Sequence, residues 1–216
     1  TGGIINITTR GPSGQFFGGA EVLSSAFVLE PYGYNLFALN FSGPLMKKNG
    51  KSILGYFISG EFETQKDPNP SAVGVWQLKD DVYDFVSQNP FRPSIFGTGV
   101  NRNSEFVRAE DMELVRVRPN ANRDRYSIAG KVDYQPSNTF SITLGGNYDY
   151  VDGRNYARSL SLFSRDNQGF FNNQTIRAYG RIRQNFNPEG DNQGGTIKNA
   201  YYTLQFDYTK STASQD

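Results

Sequence analysis

Cysteine and histidine are both missing from this 216-residue chain. Without cysteine there are no disulfides and no thiolate metal sites, which is compatible with an oxidising compartment and does not require one. Without histidine the commonest general base is gone, so nucleophilic hydrolysis of the usual kind has no candidate machinery. Long apolar runs are missing too. Hydrophobic residues make up 37% of the chain, and the longest apolar stretch, residues 53–58, falls far short of the roughly 20 residues of a membrane helix. Neither charge sign dominates: 22 basic residues face 21 acidic ones for a net charge of +1. A polyanion such as nucleic acid is therefore not an expected partner. The chain opens on Thr1 with no initiator methionine and no charged, apolar leader, so an internal piece of a longer, exported protein is expected.

Aromatic residues, by contrast, are plentiful: 17 Phe and 13 Tyr, against one Trp. Many sit in segments where apolar and polar residues alternate. Tyr126, Ile128, Val132 and Tyr134 alternate with Ser127, Lys131 and Asp133. Phe140, Ile142, Leu144, Tyr148 and Tyr150 alternate with Ser141, Thr143, Asn147 and Asp149. Side chains switch faces at each step of a strand, so each segment has one oily and one polar side. Only residues 135–139 separate these two segments, too few for a crossover, and an antiparallel hairpin follows. The pattern repeats at Phe37, Leu39 and Phe41; at Leu54, Tyr56, Ile58 and Phe62, with Phe57 interrupting the polar side; at Ile176, Ala178 and Ile182; and at Ala200, Tyr202, Leu204, Phe206 and Tyr208. Residues 15–29 are Gly- and Ser-rich and carry the poorest alternation.

About seven strands result, and their connections differ in length. Residues 46–51 and 136–138 make short turns and residues 187–196 a modest one; residues 65–124 and 152–173 make long loops, with the short break at residues 31–33 the exception. Short turns at one rim and long loops at the other characterise transmembrane barrels of the bacterial outer membrane. Low mean hydropathy with many aromatics suits the same class, because half of each strand would face a polar lumen and rings would gather at the membrane interfaces. The expected fold is thus all-β: an open, curved part of an antiparallel transmembrane β-barrel, its oily residues on the convex face. Inside the first long loop, Leu78, Val82, Phe85 and Val86 recur at helical spacing, predicting a helix over residues 77–86 stopped by Pro90. A single helical turn over residues 108–112 and an extended piece over 114–118 complete that loop.

Candidate chemistry is sparse. Arg177, Arg181 and Arg183 share a face and are expected to line a hydrated wall, with counter-charges such as Asp149 or Asp207 on neighbouring strands. Glu61 and Glu63 share a face without any further group to build a paired-carboxylate site. The segments Asp166-Asn-Gln-Gly169 and Asp191-Asn-Gln-Gly-Gly195 lack the alternating acids and closing glutamate of a calcium loop. No catalytic residue, metal ligand or cofactor site is expected. Gly18, Gly19, Gly145 and Gly146 lack any phosphate-loop context and read as places where backbone bends or packs closely.

The opening residues Thr1-Gly-Gly-Ile-Ile-Asn-Ile-Thr-Thr-Arg10 carry a further signal. With Gly2, Gly3, Ile5, Ile7, Thr9 and Arg10, this stretch resembles the end of the plug in the TonB-dependent outer-membrane transporter family. There, a Gly-Gly-[Val/Ile]-Ile-x-Ile-x-Thr-[Lys/Arg] strand precedes the first barrel strand. The strand ending Ser42-Gly-Pro-Leu45 is similar to receptors of the Bacteroidetes type, which often carry a carboxypeptidase-regulatory-like domain upstream. The resemblance implies that residues 1–10 end a plug domain and residues 11–216 begin an integral barrel of a Gram-negative outer membrane. It also implies energised uptake of a small ligand (a siderophore, glycan or peptide) recognised in loops 65–124 and 152–173. TonB would act through a TonB box upstream, and outer-membrane lipid would surround the wall. A passive porin, or a soluble all-β binding or adhesion module, are the alternative readings.

Overall fold

In the computed structural model, residues 13–27, 32–186 and 200–216 are described. One seven-stranded antiparallel sheet dominates them. Its strands are β1 (Phe17–Ser24), β2 (Asn35–Lys48), β3 (Lys51–Gln65), β8 (Arg123–Tyr134), β9 (Phe140–Asn155), β10 (Gly169–Asn185) and β11 (Tyr201–Gln215). They lie side by side in that order. Each strand pairs with its neighbour in the chain, apart from the insertion that separates β3 from β8, so the topology is an up-and-down meander. From β2 onward the strands run to 12–17 residues, longer than the mode of about 5–6 for globular proteins. No helix among the described residues is long and apolar enough to cross a membrane, which says nothing about strands.

The registers put the connections where the sequence predicted. Lys48 pairs with Lys51, and Tyr134 with Ile142, at one end of the sheet. Gln65 pairs with Arg123, and Gly169 with Asn155, at the other. Both long loops therefore leave one rim and both described short turns leave the opposite rim. The β2–β3 turn is Asn49-Gly50, with φ of 51° and 78°. Two successive positive φ values are what a two-residue hairpin turn matched to strand twist demands, and glycine takes one of them without steric cost. Pro44 sits inside β2, where its missing N–H would interrupt a regular ladder; the register shifts between Pro44 and Met46 absorb it.

The first long loop holds its own structure. Strand β4 (Val75–Leu78) pairs with β7 (Met112–Val115), and β5 (Phe91–Pro93) pairs with β6 (Val100–Arg102). Helix α1 (Asp80–Gln88) lies between β4 and β5. The expected helix over 77–86 starts three residues later and ends two later, because Leu78 pairs with Met112 in the β4–β7 ladder and is only 1% exposed. Asp80 and Asp81 begin the helix, where the N-terminal dipole favours acid, and Pro90 follows the C-cap residue Asn89. The helical turn expected over 108–112 is a single 3-10 turn at Ala109–Asp111. The extended piece falls at Met112–Val115 instead of 114–118. Strand β1 covers only Phe17–Ser24 of the expected 15–29 and ends in a 3-10 turn at Ser25–Phe27.

Candidate functional site

Cross-strand register turns the alternation into rows. Val22, Phe37, Phe62, Tyr126 and Tyr150 form one continuous row over five strands. Gly18, Phe41, Ile58, Gly130, Gly146, Ala178 and Tyr208 form another over all seven. Further along, Tyr56, Val132, Leu144, Gly180 and Phe206 align, followed by Leu54, Tyr134, Ile142, Ile182 and Leu204. All lie on one face. Its upper boundary is a polar row, Ser24, Asn35, Thr64, Asp124, Asp152, Asn172 and Ser214. Directly below it run four rings in mutual contact: Phe37 and Phe62 at 6.4 Å, Phe62 and Tyr126 at 4.8 Å, Tyr126 and Tyr150 at 6.2 Å between centroids.

That apolar face is open to solvent. Leu144 is 60% exposed, Leu204 65% and Phe206 72%. Among the described residues the buried hydrophobic side chains are Leu78, Tyr83 and Ala121, and none of them belongs to the seven-stranded sheet. Among the described residues no second sheet covers this face, as a sandwich core would require. Each large apolar side chain left in water forgoes roughly 1.5–3 kcal/mol of burial free energy.

The polar face is the better shielded one. Lys131 and Asp133, two residues apart on β8, are 2.9 Å apart with both side chains largely covered, and the Thr143 hydroxyl donates to Asp133 at 2.7 Å. Asp149 accepts from Ser127 at 2.8 Å and lies 3.8 Å from Arg125. Arg181 donates from Nε to Gln205 at 2.8 Å, while Asp207 accepts from Gln205. Arg183 lies over the Tyr201 ring, and Arg177 faces Asn147 and Thr209 in register. The three arginines do share a face, but the expected counter-charges are engaged elsewhere: among the described residues the ion-pair partner of Asp149 is Arg125. Glu63 accepts from Gln65 at 2.8 Å, and Glu61 stands in a row with Ala38 and Ser127. Gly145 and Gly146 act as close-approach points. A methyl group on Gly145 would lie 2.7 Å from the Tyr179 ring, and one on Gly146 would lie 2.5 Å from the Arg177 carbonyl oxygen.

The two long loops meet above the rim of the sheet. The Tyr83 hydroxyl donates to Asp166 at 3.1 Å. Arg165 pairs with Asp80 at 2.8 Å and lies over the Tyr83 ring at 4.1 Å. Asn120 donates to the Arg165 carbonyl at 2.8 Å. The Gln168 side chain closes the second loop on itself, accepting from Ala157 N–H at 2.6 Å and donating back to its carbonyl at 3.1 Å. At the loop base Asp67 is 2% exposed. Arg118 grips its carboxylate from Nε and Nη2, at 3.0 and 2.6 Å, and through its backbone N–H. Burial pushes the Asp67 carboxyl up, but the Arg118 guanidinium and the N–H groups of Arg118 and Asn69 outweigh it and leave it below the ordinary carboxylate value. The Arg118 guanidinium also lies 4.5 Å from the centre of the Tyr156 ring, tying the base of one loop to the start of the other.

Between the loops lies a cleft of about 570 Å³ lined by Tyr83, Phe91, Arg102, Phe163 and Asp166, among others. Its size falls within the range of roughly 300–1,000 Å³ typical of ligand pockets. Among the described residues no three His, Cys, Asp or Glu side chains converge to hold a metal. Asp166, in the faint calcium-like segment, is occupied by Tyr83 and Asn120. The plug-like motif at Gly2, Gly3, Ile5, Ile7, Thr9 and Arg10 lies outside the described residues, as do the residue 187–196 turn, residue 31 of the short break and the segment starting at Asp191. The inter-loop contacts had no sequence signal, since Tyr83 and Asp166 are 83 positions apart.

Comparison with protein-family models found no match, and neither did comparison with curated proteins or with solved structures.

Proposed function

We propose that this chain forms part of the wall and outer loops of a TonB-dependent receptor in a Gram-negative outer membrane, serving energised uptake of a small ligand. One observation carries the membrane part of this reading: an apolar face spanning all seven strands, exposed, uncovered and bounded by a row of aromatic rings. From Ile142 to Tyr150 that face rises about 26 Å along the strand at roughly 3.3 Å per residue. A strand tilt of about 40° projects this to about 20 Å, close to the ~25 Å apolar band of transmembrane barrels. The polar face would line the lumen, which accounts for its paired and shielded charges. Closing the sheet with further strands would satisfy the free edges of β1 and β11, as a bilayer demands of every backbone group.

The receptor part rests on the resemblance of residues 1–10 to a plug ending, and on loops that are structured enough to recognise something. The cleft between Tyr83 and Phe163 is the candidate recognition site. Uptake by cells carrying the full-length protein tests the whole reading. Loss of uptake when TonB is removed or the proton gradient is collapsed is expected. Uptake that survives both treatments would make the protein a passive porin. Deleting residues 70–118 should impair ligand binding while leaving the barrel inserted; unchanged binding would move recognition to the plug or to other loops.

A further inference from the structure

Among the described residues the short-turn rim carries charge of one sign, while the connection over residues 187–199 adds Glu189, Asp191 and Lys198 in sequence. Taking residues 44–54, 134–141, 183–186 and 200–203 together, the charged side chains are Lys47, Lys48, Lys51 and Arg183, with no acid among them. The loop end differs: residues 65–124 and 152–173 mix acids and bases throughout. Arg183 is engaged over Tyr201. The three lysines are exposed and make no hydrogen bond or ion pair within the described residues.

Their placement is costly unless something compensates. Lys48 and Lys51 are direct cross-strand partners flanking the Asn49-Gly50 turn. Directly opposed side chains have Cβ atoms about 4.5–5.5 Å apart, and like charges there repel. Lys47 adds a third ammonium one residue away. The turn's positive φ values fix the register, so the pair cannot slip apart. Lys47 and Lys48 follow immediately on Leu45 and Met46, which are exposed hydrophobics, and Lys51 lies three residues before Leu54, which begins the apolar rows on the partner strand. Lysine stems can lie along such a surface while their ammonium groups reach outward.

We propose that Lys47, Lys48 and Lys51 form a docking surface for anionic glycerophospholipid headgroups in the leaflet that surrounds the short-turn rim. A phosphodiester placed between the ammonium groups relieves their repulsion and meets them at the depth where the apolar band ends. The proposal rests on the lipid-facing reading of the apolar face. It goes beyond that reading by assigning headgroup charge selectivity to one hairpin.

The test uses the full-length protein in phosphatidylcholine bilayers, with trace phosphatidylglycerol or phosphatidylcholine spin-labelled on the acyl chain. Electron paramagnetic resonance reads the fraction of each lipid held at the protein surface. The wild type is expected to prefer phosphatidylglycerol by about fivefold at low salt, the size of one lysine's attraction to an anionic surface. The Lys47→Gln, Lys48→Gln, Lys51→Gln variant should lose most of that preference, and the matching Lys→Arg variant should keep it. Half-molar salt should erode it in the wild type, because screening shortens the reach of exposed charges. An unchanged preference in the Gln variant, or none in the wild type, overturns the proposal. So does full competition by millimolar glycerol phosphate, which would make the surface a site for soluble anions. If neither lipid shows a held fraction, the apolar face does not contact lipid, and that failure belongs to the membrane reading itself.

Discussion

Within the loops, Leu78 and Tyr83 are buried and Asp67 is locked by Arg118. Within the sheet, Leu144, Leu204 and Phe206 stand in the open while Lys131 and Asp133 are covered. The same kinds of side chain are thus sorted in opposite directions in two parts of one chain. The loops follow the rule of a water-soluble domain, burying hydrocarbon and pairing what charge they enclose. The sheet does the reverse, leaving hydrocarbon open on one face and covering charge on the other, which is the sorting expected of a structure whose outer solvent is hydrocarbon. On the proposed reading, a single polypeptide that follows both rules would sit across a boundary between two solvents.

Breaking the loop side should give the largest effect. Asp67→Asn leaves the Arg118 guanidinium without its counter-charge in a covered site and should cost about 3–5 kcal/mol of local stability. Protease nicking confined to residues 66–122, with the seven-stranded sheet left uncut, is the expected result; intact loops would show that the pair is dispensable. Acid should mimic the substitution. The Asp67 carboxyl is held below its ordinary 3.8, so its contribution is complete above that value and is lost as the pH falls through the lower, folded-state value. Loop protection against an acid-active protease should therefore persist at pH 5 and fade only below pH 3.8. Loss already at pH 5 would contradict the depressed value.

The sheet side is broken by charge on the apolar face. Leu144→Arg should cost about 2–4 kcal/mol in bilayer-folded full-length protein if that side chain meets hydrocarbon. Thr143→Arg, one residue away and beside Asp133, should cost less. Denaturant unfolding of both variants makes the comparison, and equal costs would overturn the proposal that Leu144 faces hydrocarbon. The smallest effect should come from the contact between the loops. Tyr83→Phe deletes one hydrogen bond to Asp166 and should loosen the pair of loops by about 1 kcal/mol. Faster hydrogen exchange in both loops at once is the expected signature; a change in only one would mean that they move independently.

The sheet was legible because its logic is local. At Tyr126, Ile128 and Val132 the two-residue period is carried by consecutive residues, and residues 135–139 allow only one connection. Register then followed, since shifting a strand by one residue would turn its whole apolar set to the other face. The loops were legible only in outline. Leu78 fits a helical spacing with Val82, yet it is claimed by a partner 34 residues away in β7. Periodicity cannot see such a partner. The polar face was intermediate: that Arg177, Arg181 and Arg183 share a side was readable, but Gln205 as the acceptor for Arg181 was not. An amide between two strands competes with carboxylates on terms set by distances that only the folded sheet defines.

The β4–β7 ladder inside the first loop also bears on the order of assembly. Pairing Gln65 with Arg123 means closing a chain of 57 intervening residues. Once Val75 has met Val115, the path still to be closed shortens to about 18 residues, and loop-closure entropy falls by about 1 kcal/mol. That is about a fivefold gain in how often β3 finds β8. A loop that zips itself early would therefore act as an internal clamp, converting the one non-local strand pairing in the meander into a near-neighbour event.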